Sequence, residues 1–292
     1  MTDHLAALLD LPGVADAVAA SRAAVDGLLG HRVLRRRSAE VTAESALRGA
    51  RASAELEGRG IELERLRGQL MGGGAVQVAT RDGRDSQVVA NAVRLHADLG
   101  SVLASWSRSP KQALARLHLL AAADLGVAAD ELGRPRLPTA SYDDPLGLGP
   151  APDPLEVAAR LDGLSRLLLA PTTAPAVVTA AVVHGELLAL RAFGSMDGLV
   201  ARAAARLVLI DRGLDPKAVS APEVGHVELE HAALGHGHAG PSGGVGYAGA
   251  ARGYVSGGPA GVATWLMHCA EATALGAREG VAVCEALLRT AS

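Results

Sequence analysis

Along most of this chain, apolar residues recur at intervals of three and four, the spacing that gathers them on one face of a helix. The pattern predicts helices over Val14–Leu29, Ala39–Gly58 and Ile61–Met71, broken by Gly72-Gly73-Gly74. Val76–Thr80, ahead of an Asp82-Gly83 turn, reads as a short strand or simply as extended chain, and it is the one place for a small β-hairpin flap. Helical periodicity returns over Gln87–Trp106 and from Pro110 through Ala113–Leu125. From Leu132 to Asp153, Gly133, Pro135, Pro138, Pro145, Gly147, Gly149, Pro150 and Pro152 mark a connection longer than ordinary, a candidate functional flap or linker. Further helices are predicted over Leu155–Leu169, Pro175–Leu190 and Asp197–Arg212. The Gly-, His- and Ser-rich stretch Gly235–Gly258 is expected to be irregular, with 225–258 mobile. Two last helices follow, Pro259–Leu275 and Ala277–Arg289. No internal repeat is visible, and the fold class is all-α.

Composition narrows this picture. Aromatic residues make up only 2% of the chain, with a single Phe at 193, so the core must be built from small aliphatics at close helix–helix spacing. The net charge of −3 carries both signs interspersed, which excludes a broad nucleic-acid-binding surface. The one basic run, Arg35-Arg36-Arg37, reads as a solvated helix face. Only Lys111 and Lys217 stand against a long list of arginines, a bias assigned to genomic base composition. Cys269 and Cys284 lie in an apolar helical region and read as buried free thiols. The start, Met1-Thr2-Asp3-His4, has no basic-then-apolar leader, and no apolar window reaches the ~20 residues of a membrane span. A cytoplasmic protein without a membrane partner is expected.

The informative segment runs from Val182 through His184, Arg191, Phe193, Ser195, Met196, Asp197, Gly198 and Leu199 to Arg202. It is an apolar helix, a short break and a second helix whose first backbone N–H groups point outward, an arrangement able to hold an anion. This arrangement resembles the signature of the Fic (filamentation induced by cAMP) family, H-x-F-x-[DE]-G-N-G-R-x-x-R. Phe193, Gly198 and Arg202 match it, while Arg191, Ser195, Met196, Asp197 and Leu199 stand at the His, acid, first Gly, Asn and first Arg. His184 resembles a His on the family's preceding helix, and His118 one in an early core helix. Arg212-Gly213-Leu214-Asp215-Pro216 resembles the usual helix end, and Trp265-Leu266 the closing segment. Upstream, Ser53-Ala54-Glu55-Leu56-Glu57-Gly58 resembles the family's inhibitory-helix motif, [ST]-x-x-x-E-[GN]. The resemblance spans roughly 40–275. It implies a Fic-like helical core over 85–292, preceded over 1–84 by a helical region carrying Ser53, Glu57 and Gly58.

In the family, the resemblance implies, the signature His is the base that deprotonates a target hydroxyl for AMP transfer, and the acid holds Mg²⁺. Arg191 cannot act as that base, because its guanidinium stays protonated and offers no acceptor. Ser195 is a weak ligand for a hard divalent cation. Asp197 would repel phosphate and Leu199 offers nothing polar, so Gly198 and Arg202 remain as a vestigial anion site. Glu57, as the inhibitory Glu, is expected to pair with Arg202. His184, two turns from Arg191, reads as a core histidine with a satisfied hydrogen bond.

His226, Glu228, Glu230, His231, His236 and His238 form one further cluster. His236-Gly237-His238 with His231 could chelate Zn²⁺ or Ni²⁺, but without regular helical spacing or a nearby Cys the cluster reads as a solvated loop without metal. Three functional classes follow. The first is a degenerate Fic-like binding or regulatory module with no cofactor, an unidentified protein partner and a homo-oligomeric, in the simplest case homodimeric, state. The second is an active nucleotidyl- or phosphoryl-transferase using ATP and Mg²⁺ through other residues, and the third is a helical scaffold without ligand.

Overall fold

The computed structural model describes residues 3–78, 83–138, 140–236 and 244–290. Among the described residues, eleven α-helices follow one another: α1 (Val14–Leu29), α2 (Ser38–Leu56), α3 (Leu63–Met71), α4 (Gly83–Trp106), α5 (Pro110–Ala122), α6 (Pro154–Leu169), α7 (Ala176–Leu190), α8 (Asp197–Asp211), α9 (Pro222–His231), α10 (Tyr247–Ser256) and α11 (Pro259–Thr290). No strand is present among the described residues, and the turn expected for a hairpin flap, at residues 79–82, lies outside them. The backbone after α3 finds side-chain partners instead of a neighbouring strand. Gln77 N donates to Gln69 Oε1, and Val78 N donates to the Ser86 hydroxyl, both at 3.0 Å.

Local chemistry explains several boundaries. Asp153 caps α6 by accepting from Leu155 N and Glu156 N, with Pro154 at the first helical position. At the end of α2, Gly58 takes a left-handed φ of 76°, and Arg59 N bonds back to Ala54 O at 2.9 Å. That stop leaves Glu57 at the mouth of the helix rather than on its flank.

α8 is the axis of the molecule. Leu199, Val200, Ala201, Ala203, Ala204, Leu207 and Val208 are all fully or almost fully buried, so it is covered on nearly every side. α7 lies beside it as the other arm of a hairpin, and α2, α4 and α5 also pack against it. α1 lies along α11, and α2 contacts α4, α8, α9 and α11, so the N-terminal helices share the core of the rest.

Two sequence expectations fail for the same reason. α11 runs without a break from Pro259 to Thr290, where two helices were expected to part at Gly276. Gly276 is a packing residue: a Cβ there would press on Ala221 and Pro222, and its carbonyl accepts from Ala221 N at 3.2 Å. Within the segment expected to be irregular, Tyr247–Ser256 is helical, with Tyr247, Ala250 and Ala251 buried. Its glycines permit a crossing in which a Cβ on Gly261 would collide with Gly253 O. The stretch 225–258 expected to be mobile begins inside α9, which places His226 in the core and not in a loop. His231 ends that helix, its ring facing Glu55 at 3.3 Å, while His238 lies outside the described residues. No helix among the described residues is long and apolar enough to cross a membrane.

Close glycine contacts make a sharp stability prediction. Gly276→Ala should lose about 1–3 kcal/mol of unfolding free energy, because the new methyl meets backbone that cannot yield cheaply. Gly68→Ala, within α3 and with open space around it, should gain up to about 1 kcal/mol. Urea unfolding of the two variants checks this, and equal effects would show that Gly276 is an ordinary helical glycine.

Candidate functional site

The α7–α8 hairpin turns tightly over residues 191–196. Arg191 ends α7 with φ 43°, ψ 52°, and Met196 precedes α8 with φ 54°, both in the left-handed region that side chains rarely adopt. Phe193 N donates to Asp197 Oδ1 at 3.0 Å, tying the turn to the first residue of α8. Phe193 itself stacks on the His118 ring, centroids 4.4 Å apart and nearly parallel. The turn is thus held from both ends.

Arg202, one turn into α8, is 2% exposed. Its Nε donates to Ser53 Oγ (2.7 Å), Nη1 to the Tyr247 hydroxyl (3.1 Å), and Nη2 to Ser53 O (3.0 Å) and Glu57 Oε1 (2.5 Å). The expected Glu57–Arg202 pair is therefore present, and it is buried. The Glu57 carboxylate lies directly over the first turn of α8, so close that a Cβ on Gly198 would collide with it. Its negative charge sits where a helix N-terminus favours an anion. Ser53, Glu57, Gly198 and Arg202, far apart in sequence, are brought into one cluster.

Arg191 is engaged by the α5–α6 connection instead. Its Nη1 donates to Gly149 O at 2.6 Å, lies 3.3 Å from Asp144 Oδ2, and its guanidinium covers the Tyr142 ring. Arg136 reinforces the same contact through the Arg191 and Pro152 carbonyls, and Asp143 N donates to Gly194 O at 2.8 Å. The long connection between α5 and α6 is in this way strapped across the hairpin turn. Between strap, turn and Glu57, a space of only about 20 Å³ is left, lined by Asp144, Leu148, Met196, Asp197 and Gly198. Ser195 is partly exposed and Leu199 wholly buried, so neither presents a ligand group to that space.

Burial pushes the Asp197 carboxyl up to about 7, and neighbouring Glu57 adds to the rise, against the hydrogen bonds from Phe193 and Gly194. Its Oδ2 has no partner. Behind Arg202 lies a buried layer of which the sequence reading identified only His184, as a core histidine with a satisfied hydrogen bond. His184 Nε2 bonds the Tyr247 hydroxyl at 2.9 Å, and His226 Nδ1 bonds His268 Nε2 at 3.0 Å, with Trp265 packed among them. Burial holds His184 and His226 well below the ordinary imidazole range and His268 at about 4, so all are neutral at pH 7. A second buried ion pair, Arg206–Glu223 at 3.0 Å, lies one turn further along α8.

No protein-family model matches the sequence, and no curated protein does. Solved structures do match. The chain is similar to a Fic family protein from Desulfovibrio desulfuricans G20, at 18% identity and a TM-score of 0.61, covering 91% of this chain and 74% of that one. It is similar to a Fic protein from C. elegans, at 15% identity and 0.64, over 96% and 74%. A Fic-domain signalling protein from Bacteroides thetaiotaomicron VPI-5482 matches at 12% identity and 0.58, over 92% and 98%. The fold of this chain is the all-helical Fic fold.

Two measurements probe the site. Removing either partner of a buried ion pair costs about 3 kcal/mol or more, against under about 1 for an exposed one. Glu57→Ala and Arg202→Ala should each reach the larger figure, and the double variant should lose little more than either alone; additive losses would mean that the two side chains do not interact. For Asp197, the folded chain holds the proton more tightly than the unfolded chain, whose carboxyl titrates near 3.8. Its contribution to stability is thus complete below about pH 4 and is lost as pH rises through about 7. Asp197→Asn should raise the melting temperature more at pH 8 than at pH 5, and a pH-independent difference would contradict that sign.

Proposed function

We propose that this Fic-fold protein does not transfer AMP and acts as a binding or regulatory module for a protein partner. The observation that supports this most directly is the Glu57 carboxylate seated on the first turn of α8, in the place a nucleotide phosphate would need. Between it, the strap and the hairpin turn only about 20 Å³ remains, where sites for small ligands usually offer roughly 300 Å³ or more, and the space of about 290 Å³ that also borders Glu57 is lined by Gly58, Leu146, Val227 and Tyr247 and not by the hairpin turn. The chemistry is equally poorly served. Arg191, at the position of the base, is engaged by Gly149 and Asp144. Ser195 offers a neutral hydroxyl where Mg²⁺ would need a carboxylate, so the residues present do not fit ATP with Mg²⁺.

One observation favours the competing reading, an active nucleotidyl- or phosphoryl-transferase. Asp197, near 7, is a group in the cleft poised for general-base work, with one oxygen unpartnered. It would have to act after Glu57 and the strap had both moved.

The expected outcome is no label on the protein, or on proteins of a bacterial lysate, from ATP labelled at the α-phosphate with Mg²⁺ present. Glu57→Gly should not turn labelling on, and Arg191→His should not restore it, since the metal and phosphate ligands remain absent. Thermal melting should be unmoved by ATP or ADP with Mg²⁺. Labelling by Glu57→Gly that disappears in the Glu57→Gly, Asp197→Asn double variant would instead establish the transferase.

A further inference from the structure

α7, α9 and α11 each send one potential metal ligand to a single internal cavity of about 20 Å³: His184, His226 and Cys269. All three residues are buried, and their ligand atoms lie within 4.8 Å of one another. Metal–ligand bonds of about 2.0–2.3 Å would set such atoms roughly 3.5–4 Å apart, so a modest inward movement closes the set. Each imidazole already has one nitrogen engaged, His184 Nε2 by the Tyr247 hydroxyl and His226 Nδ1 by His268. With those nitrogens carrying the protons, His184 Nδ1 and His226 Nε2 keep their lone pairs. Outer hydrogen bonds of this kind fix the tautomer and ring orientation of metal-binding histidines.

We propose that His184, His226 and Cys269 form a buried site for one copper(I) ion. Two imidazoles and a soft thiolate in a three-ligand set suit copper. Charge selects the oxidation state. Arg202 and Arg206 also line the cavity, and their charges are already balanced by Glu57 and Glu223. Copper(I) with a thiolate adds no net charge, whereas zinc(II) with the same thiolate adds a positive charge beside two buried guanidiniums. Burial keeps the Cys269 thiol protonated, so binding breaks the S–H bond, forms the S–Cu bond and releases one proton to solvent. No electron is transferred. The site went unread in the sequence because its residues come from three distant helices with no ligand spacing, and because His226 was grouped with the loop histidines.

The test is an anaerobic titration of untagged protein with copper(I) against a bicinchoninate competitor, with zinc(II) titrated in parallel. One copper(I) per chain is expected, with zinc bound at least about 100-fold more weakly. Cys284→Ser and His231→Ala should keep the ion, while Cys269→Ser and His184→Ala should lose it. X-ray absorption at the copper edge of the wild-type protein should show one sulfur and two imidazole neighbours, a readout that stands even if a core variant fails to fold. Absence of stoichiometric copper, a copper shell without sulfur, copper retained by Cys269→Ser or a site that prefers zinc would each overturn the proposal.

Discussion

A guanidinium charge with almost no access to water sits at the heart of this molecule, and much of the architecture follows from satisfying it. Arg202 finds its three side-chain partners on two other segments: Ser53 and Glu57 at the end of α2, and Tyr247 at the start of α10. A charge left unmatched there would cost several kcal/mol, so these segments dock on α8 together or not at all. α2 accordingly ends at Leu56, and the left-handed Gly58 just beyond it leaves the Glu57 carboxylate turned inward. The same docking is why the early helices belong to the same core as the hairpin.

The second ion pair repeats the solution with different residues. Gly49 on α2 lies where a Cβ would crowd Arg206 Nη1 at 2.7 Å and Glu223 Oε2 at 2.9 Å, just as one on Gly198 would strike Glu57. Each buried pair thus rests on a missing side chain. A chain with few aromatics gains little from large packing groups, and it uses the space left by small ones to bring backbones and charges close. Gly185 does the same for Trp265 and Tyr254, each 2.8 Å from the position a Cβ would take.

Helix identity was legible because periodicity survives base-composition bias: α1, α7 and α8 lie within a residue or two of their expected bounds. The Glu57–Arg202 contact was legible too, through one motif and one arginine. What escaped was encoded in glycine. At Gly276, and at Gly253 within α10, local propensity argues for a break, while close packing against another backbone argues for continuity, and only the folded neighbour decides. The strap was legible as a long candidate flap, but where it docks was invisible for a different reason. Its contacts join backbone carbonyls at 149, 152 and 191 to Arg136 and Arg191, and backbone carbonyls have no sequence signature.

α11 has a consequence for the order in which the protein can be made. Its 32 residues span about 48 Å and provide the surface along which α1 lies. During synthesis, the Val14, Val18, Val25 and Leu28 stripe of α1 leaves the ribosome long before the helix that covers it. The α7–α8 hairpin, with partners adjacent in sequence, can close early. The sheath of α1, α9 and α11 around it must wait for the ribosome to deliver its last member, which makes final compaction a late event however quickly the individual helices form.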